Sequence, residues 1–468
     1  MTRTRAIVIG AGSAGSVMAR RLVDADFQVT LVEAGPDGVA PPGVASSSFF
    51  DALAEPGRIW PDLMATRVSG RPETLYARGR GVGGSSAVNA MIGLWGEPDD
   101  YDRWERDHFC TGWSWKDVLP VFKRMPVPLR TPRLHEVGPV GRAIASIGHD
   151  EGWVEHVGPG AVGPLGRDVG ACRLTQDTEG RRVSAFGAYV SPVRSDPRLV
   201  VRTDVEVDRV AIENDRTTGV VLVDGTVLDA EVVVVAAGAI ETPRILLRSE
   251  LENPHVGVGI QDHAAATFTL AMKEEWSVEG LAVGVVGRFT SGRAPADLQV
   301  LPIDHLGPDA PGLAVLNVAL MNVHSRGVVD LDRVSFDMLS DERDLATLVD
   351  GVRTIRPWFA SRPLTDVVSA VLIDDRGTPL DALGSGDDSL RQWVTSVTGD
   401  YVHAAGSCSM GRRGESVVDP SGRSWDVEGL WLADASVMPR LPRANTHLPT
   451  VMVAERVAEF LVGATSAR

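Results

Sequence analysis

The first residues along the chain with recognisable chemistry are three glycines and a carboxylate. Gly10, Gly12 and Gly15 are spaced as G-x-G-x-x-G directly after the apolar run Ala6-Ile7-Val8-Ile9. Such glycines permit a tight turn, leave bare backbone for a pyrophosphate, and let the following helix pack close to a sheet. Ser13, Ala14 and Gly15 open that helix, expected over Ser13 to Asp24, so unpaired N–H groups and a partial positive charge face the phosphates. Glu33, followed by Ala34, ends a second strand, Gln28 to Val32. A carboxylate there can take both hydroxyls of an adenosine ribose and disfavours a 2′-phosphate, which argues against NADP. The glycine motif alone is weak evidence. Strand, glycines, helix, second strand and acid in this order make the dinucleotide reading specific.

A second group of chemically suggestive residues lies near the C-terminus. Asp434 follows the run Gly429 to Ala433, a strand at whose carboxyl end ligands bind in a doubly wound sheet. Pro449 to Leu461 reads as an apolar-periodic helix whose N-terminus can stabilise negative charge. His403 and His447 each lie in this region, and an imidazole with a near-neutral pKa suits the removal of a hydroxyl proton. A satisfied core histidine is the plain alternative for either one alone.

The stretch Tyr76-Ala-Arg-Gly-Arg-Gly-Val-Gly-Gly-Ser-Ser-Ala-Val-Asn-Ala-Met-Ile-Gly-Leu-Trp-Gly96 is too rich in glycine for a regular strand or helix. A flexible linker would not interleave those glycines with Val82, Val88, Met91, Ile92, Leu94 and Trp95, so the stretch suits a backbone wrapped around a flat ligand. It resembles the first signature of the glucose-methanol-choline oxidoreductase family. Val232 to Ser249 (VVVVAAGAIETPRILLRS), Gly257 to His263 (GVGIQDH), Tyr401 to Gly411 (YVHAAGSCSMG) and Asn445 to Glu455 (NTHLPTVMVAE) are similar to further family motifs, in the family's order. The resemblance covers nearly the whole chain. It implies FAD as cofactor, with Arg80, Gly83, Gly84, Ser85, Asn89 and Ala90 along the flavin, and with Val207 at the adenine. Ala237, Gly238, Asp434, Ala435, His447, Leu448 and Pro449 complete the cofactor site implied by the family. Some members bond the flavin to a histidine in the glycine-rich loop; Val88 stands there instead, so non-covalent FAD is expected.

By the same resemblance His403 is the base that takes the hydroxyl proton as the carbinol hydride leaves for flavin N5, and His447 is its partner. The activity implied is oxidation of an alcohol or sugar-type substrate to an aldehyde or ketone. Electrons would pass to oxygen, a quinone or another carrier. A dehydrogenase is favoured, because cytoplasmic members of bacterial type often pass electrons to a carrier or respiratory chain. The chain resembles short bacterial, choline dehydrogenase-like members; some short members serve the mycofactocin redox system, and no residue singles that system out. Two other readings stand beside this one: a hydroxynitrile lyase-like enzyme with FAD as a structural element, since fold alone does not fix function, and a NAD-dependent enzyme, against which the flavin-wrapping loop argues.

These residues need elements to hold them. The expected architecture is α/β, or α+β overall. A Rossmann-like FAD-binding domain with a parallel sheet spans 1–260 and 401–468, with inserted segments around 37–75 and 110–180. A substrate domain at 261–400 carries an antiparallel sheet covered by helices. The segment 37–75 lacks periodicity and suits an excursion with one short helix. Helices are expected at 114–123 and 138–148, and four alternating strands over 199–235 with turns at Asn214-Asp215 and Asp224-Gly225. Within these, 201–210 is the strand that would meet the adenine. Thr242 caps the next helix, with Pro243 at its first position. Strands follow at 265–272, 283–289, 298–303, 313–321 and 334–340, then helices at 344–360 and 388–398, the first capped by Ser340 or Asp341.

Composition sets outer bounds. The 468 residues suit two or three packed subdomains. The formal net charge of −16 disfavours a nucleic-acid partner, and Arg78-Gly79-Arg80, short and glycine-bound, suits a buried diphosphate better than a phosphate backbone. No apolar run approaches a membrane span, and only five residues precede the first strand, so a cytoplasmic location is expected. Cys110, Cys172 and Cys408 are odd in number and widely spaced, which points to buried free thiols. The ten histidines form no metal-ligand spacing, so no metal is expected.

Overall fold

The computed structural model describes residues 3–38, 42–46, 48–155, 158, 160, 166–276 and 280–466. Five short apolar runs, each able to be buried on both faces, assemble into one parallel sheet. Its order is Leu430–Leu432, Val232–Val235, Arg5–Ile9, Gln28–Val32 and Leu199–Arg202. The helix Ser13–Asp24 leaves the first strand through the glycine turn and packs against the C-terminal helix His447–Ser466. Both ends of the chain thus meet beside the sheet's centre, and the carboxyl ends of its strands open on one side.

A second sheet of seven strands stands apart from the first. Its order is Val368–Leu372, Ala265–Met272, Leu313–Leu320, Leu298–Ile303, Val285–Phe289, Asp168–Ala171 and Val154–Glu155, antiparallel except for the last pair. The helices Glu342–Ile355 and Pro139–Asp150 pack on it. Asp341 caps the former by accepting from the Arg343 N–H at 2.9 Å. In register, Leu301 and Thr267 both stand opposite Asn317, so the side chains of one sheet face form a row across three strands.

Several local expectations change. The excursion at 37–75 holds two short helices, Pro42–Ala45 and Phe49–Ala54, clipped together by the Gly43 N–H on the Glu55 carboxylate at 2.9 Å. The stretch 201–210 is not one strand: it breaks at Asp204, whose φ is +54°, and resumes at Val207–Glu213 in a separate three-stranded sheet. The turns of that sheet are as expected, with Asn214, Asp215 and Gly225 at positive φ. Thr242 is not a cap, because the helix begins earlier, at Gly238. Pro243 therefore sits inside it and cannot donate to the Ala239 carbonyl. The Ser407 hydroxyl takes that acceptor at 2.6 Å.

The strand expected at 334–340 is only Val334–Ser335, cut short by Asp337 and Leu339 at positive φ. The C-terminal helix starts at His447 rather than Pro449, which costs no hydrogen bond because first-turn N–H groups are unpaired in any helix. The segment 110–180, expected with the first domain, supplies Asp168–Ala171 and Val154–Glu155 to the second sheet. The buried Asp168–Arg288 ion pair at 3.0 Å fixes the first of these strands to Val285–Phe289. The three cysteines are free and buried, and no described helix is long and apolar enough to cross a membrane.

Candidate active site

The carboxyl ends of the parallel strands and one face of the antiparallel sheet border the same cavity. Gly10 turns the chain there at φ +93°, and a Cβ on it would lie 2.6 Å from the Ala236 carbonyl oxygen. Gly12 and Gly84 meet back to back: a Cβ on Gly84 would come within 2.8 Å of Gly12 Cα. A Cβ on Gly12 would meet only Gly84 Cα, at an ordinary contact distance of 3.8 Å. The cavity is thus lined by bare backbone at the start of the helix Ser13–Asp24, the geometry a pyrophosphate requires.

The Glu33 carboxylate is buried and holds this cradle together. Its Oε2 accepts from the Ala11 N–H at 2.8 Å, and its Oε1 accepts from Gly35 and Gly81, each at 2.9 Å. Three strands of loop therefore converge on one side chain. Asp434 does the same at the far edge of the sheet: Oδ2 accepts from the Gly238 N–H at 2.7 Å and the Thr242 hydroxyl at 2.6 Å, and Oδ1 from the Ser436 N–H at 2.8 Å.

Of the residues singled out in the sequence, Gly10, Gly12, Ser13, Ala14, Glu33, Ala34, Gly84, Ser85, Asn89, Ala90, Val207, Ala237, Gly238, Asp434, Ala435, His403 and His447 all line the cavity. Gly15, Arg80, Gly83, Leu448 and Pro449 are not among its lining residues. Gly15 is a packing glycine, since a Cβ there would sit 1.7 Å from the Gly10 carbonyl oxygen. Arg80 is drawn to the Ala34 carbonyl at 2.7 Å, with its guanidinium over Trp60. Arg78, two residues earlier, is the arginine that reaches the cavity, where it donates to the Val402 carbonyl.

The two histidines come from the chain segments on either side of the last parallel strand. His403 donates its backbone N–H to Asp262 Oδ1 at 2.9 Å, and its ring Nδ1 lies 2.9 Å from His263 Nδ1. Asn445 Nδ2 approaches its Nε2 at 3.4 Å. Both Asp262 oxygens are occupied: Oδ1 also accepts from the His263 N–H at 2.7 Å, and Oδ2 from the Tyr76 hydroxyl at 2.7 Å. Asp262, His263 and His403 could offer ligand atoms within 4.8 Å of one another, but these contacts make them a hydrogen-bond network. His447, first residue of the C-terminal helix, has Nδ1 at 3.0 Å from Ser13 Oγ. Its Nε2 and Asn445 Oδ1 are buried without a partner among the described residues. Both residues line the cavity, so these two atoms await a group that would occupy it.

Burial dominates the electrostatics. It holds the His403 imidazole well below its ordinary range, helped by the neighbouring His263 and Arg78. It lowers His447 to about 4, with Arg182 adding to the effect, and His263 to about 3. All three rings are neutral at pH 7. Asp262 moves upward, from burial and from the nearby Asp400 charge. Val402, beside His403, is a β-branched residue at φ +54°, a strained conformation of the kind found at functional sites.

Asp262, His263 and Asn445 were left without a role in the sequence reading, and Arg78, read there only with Arg80 as suited to a diphosphate, meets the Val402 carbonyl beside His403. Asn445 had a legible signal, since it stands two residues before His447 at the mouth of an apolar helix. The contact between His263 and His403, 140 residues apart in sequence, had none.

A family model described as GMC oxidoreductase matches residues 4–265, and its C-terminal counterpart matches residues 322–454. The 5-(hydroxymethyl)furfural oxidase of Methylovorus sp. is 29% identical over 97% of this chain and 98% of its own. The oxygen-dependent choline dehydrogenase of Paraburkholderia phymatum is 28% identical over 98% and 92%. Among solved structures, pyridoxine 4-oxidase from Mesorbium loti superposes with a TM-score of 0.87 at 24% identity, over 98% of this chain and 99% of that one.

Proposed function

The chain belongs to the GMC oxidoreductase family, and we propose on that premise that it oxidises an alcohol to an aldehyde or ketone, with His403 taking the hydroxyl proton. The observation that carries this reading is that the dinucleotide cradle and both buried histidines open into one cavity, with His447 Nε2 and Asn445 Oδ1 unpartnered there.

The residues fit FAD. The bare backbone of Gly12 and Gly84 would take the pyrophosphate, and Val207, Gly238 and Glu33, which line the same cavity, would border the adenosine end. Val88, buried in the cavity wall, offers no nucleophile, so the cofactor is held non-covalently. When bound, FAD supplies the two-electron acceptor for the carbinol hydride. The protein supplies the proton acceptor and the geometry. The Asn445 amide N–H faces His403 Nε2, which makes that nitrogen the acceptor and keeps the ring proton at Nδ1, donated to His263 Nδ1. A neutral imidazole whose basic Nε2 meets only that long 3.4 Å amide contact, which an alcohol hydroxyl can displace, is the form that can accept a hydroxyl proton. With the Ser13 hydroxyl donating to His447 Nδ1, 3.0 Å away, the proton of the neutral ring would sit on Nε2, where it can hold the alcohol oxygen as charge develops.

The test is anaerobic flavin reduction by an alcohol panel, followed by reoxidation with oxygen and with quinone dyes. Bleaching by an alcohol supports the reading. A yellow protein that no alcohol bleaches, yet that cleaves a hydroxynitrile, replaces it. A dehydrogenase reoxidises faster with the dyes, an oxidase with oxygen.

A further inference from the structure

The wall of the cavity away from the parallel sheet comes from the helix Phe49–Ala54 and the strands Leu298–Ile303 and Leu313–Leu320. Phe49 and Leu53 are four residues apart on the helix and both line the cavity. Leu301 and Ile303 alternate onto the same face of their strand, and Asn317 stands opposite Leu301 in register. Four of these five side chains are apolar. Asn317 brings the one amide, and its Oδ1 already accepts from the Thr267 hydroxyl at 2.8 Å, which leaves its N–H groups for a ligand. The Tyr401 hydroxyl is turned to Gln299 Oε1 at 3.2 Å.

The charges of the cavity point the same way. Its carboxylates are engaged elsewhere: Glu33 and Asp434 by backbone N–H groups, Glu241 by Arg244 at 2.9 Å, and Asp400 by Arg67 at 2.6 Å. Glu206 adjoins Val207, at the cofactor's adenine end. Asp262, which touches His403, is not among the lining residues and is taken up by the His403 and His263 N–H groups and the Tyr76 hydroxyl, whereas Arg78 lines the cavity and acts on the His403 ring as a positive neighbour. A quaternary ammonium would meet, at the His403 end of the cavity, only carboxylates already paired or hydrogen-bonded, Asp400 with Arg67 and Asp262 with Tyr76, and would be repelled by Arg78. A sugar would bury several hydroxyls against a wall with a single amide.

We infer that the substrate is an uncharged alcohol with an apolar, ring- or chain-shaped body that fills the wall of Phe49, Leu53, Leu301 and Ile303, with Asn317 reading at most one further polar group. This rests on the alcohol-oxidation reading above.

The experiment uses the FAD-loaded protein. Anaerobic flavin bleaching is timed with benzyl alcohol, 1-octanol, choline and glucose. Separately, perturbation of the flavin absorbance is titrated with benzaldehyde and with betaine aldehyde, which report binding without turnover. The expected result is reduction by benzyl alcohol or octanol about 10²-fold or more more efficient than by choline or glucose, the scale a mismatched pocket imposes, and tighter binding of benzaldehyde than of betaine aldehyde. Asn317→Asp, which adds a carboxylate to the wall, should narrow the gap to choline about tenfold or more, and Asn317→Leu should widen it. Choline or glucose as the preferred reductant overturns the substrate class while leaving alcohol oxidation intact. If no alcohol bleaches the flavin but benzaldehyde binds more tightly than betaine aldehyde, alcohol oxidation fails and the apolar, uncharged character of the site stands; equal binding of both aldehydes removes that as well.

Discussion

Replacing Glu33 by Ala tests whether one carboxylate serves the protein or only the cofactor. The side chain is buried and accepts from three backbone N–H groups, those of Ala11, Gly35 and Gly81. A buried donor left without its acceptor costs about 1–3 kcal/mol, so the three together amount to about 3–9 kcal/mol. Water entering the vacated space recovers part of this and brings the expected loss to about 3–5 kcal/mol, a large fraction of the ~5–15 kcal/mol by which native proteins are stable. Glu33→Gln keeps one acceptor oxygen but turns an N–H toward a donor, so it should lose about 1–3 kcal/mol. Denaturant unfolding followed at a series of FAD concentrations separates the two roles, because the ligand-linked part of stability scales with FAD and the hydrogen-bond part persists on extrapolation to zero. The order wild type, Gln, Ala should hold at zero FAD. Should Glu33→Ala unfold at the wild-type midpoint there and differ only in FAD affinity, the three backbone contacts hold nothing and the residue acts on the ribose alone.

Four further outcomes are expected. His403→Ala should slow anaerobic flavin reduction by about 10² to 10⁴-fold with FAD retained, while His447→Asn costs much less because an amide can still hydrogen-bond the alcohol oxygen; stopped-flow absorbance reads both, and the reverse ranking exchanges the two roles. Since burial depresses the His403 and His447 pKa values, the basic form of His403 persists below pH 6.5, so the limiting reduction rate should stay flat from pH 8 through 6. A fall centred on the ordinary imidazole range would refute the neutral, buried base. Gly12→Val should fold, since its Cβ would meet only Gly84 Cα at 3.8 Å, but bind no FAD, because the branched side chain covers bare backbone that lines the cavity; a yellow variant would move the pyrophosphate elsewhere. Acid precipitation should release all the flavin into the supernatant, given Val88 where a linking histidine would stand, and colour kept in the pellet would show a covalent bond.

What the chain wrote locally was legible in one dimension. The helix Ser13–Asp24 and the strands Gln28–Val32, Ala265–Met272 and Leu298–Ile303 fall where apolar period and glycine punctuation put them. These signals depend on neighbours within a few residues, as does the close approach of Gly15 to the Gly10 carbonyl. Elements whose ends depend on remote partners were misjudged. The helix at Gly238 starts early because Asp434, nearly two hundred residues later, accepts from both Gly238 and Thr242. Within the segment 110–180, Asp168–Ala171 and Val154–Glu155 join the second sheet, where Asp168 meets Arg288 in a buried ion pair.

The site divides along the same line. Its residue types and most of its lining were written in the motifs, since each motif is a contiguous stretch whose backbone must curve around a ligand. Which arginine turns to the cavity, Arg78 rather than Arg80, was decided by the carbonyls within reach, Val402 for one and Ala34 for the other. The pairing of His403 with His263 exists only after two segments 140 residues apart are folded together. A tautomer is set by a hydrogen-bond partner, and a buried pKa by the solvent and charge around it. Neither is a property of the residue alone, so tertiary structure decided both.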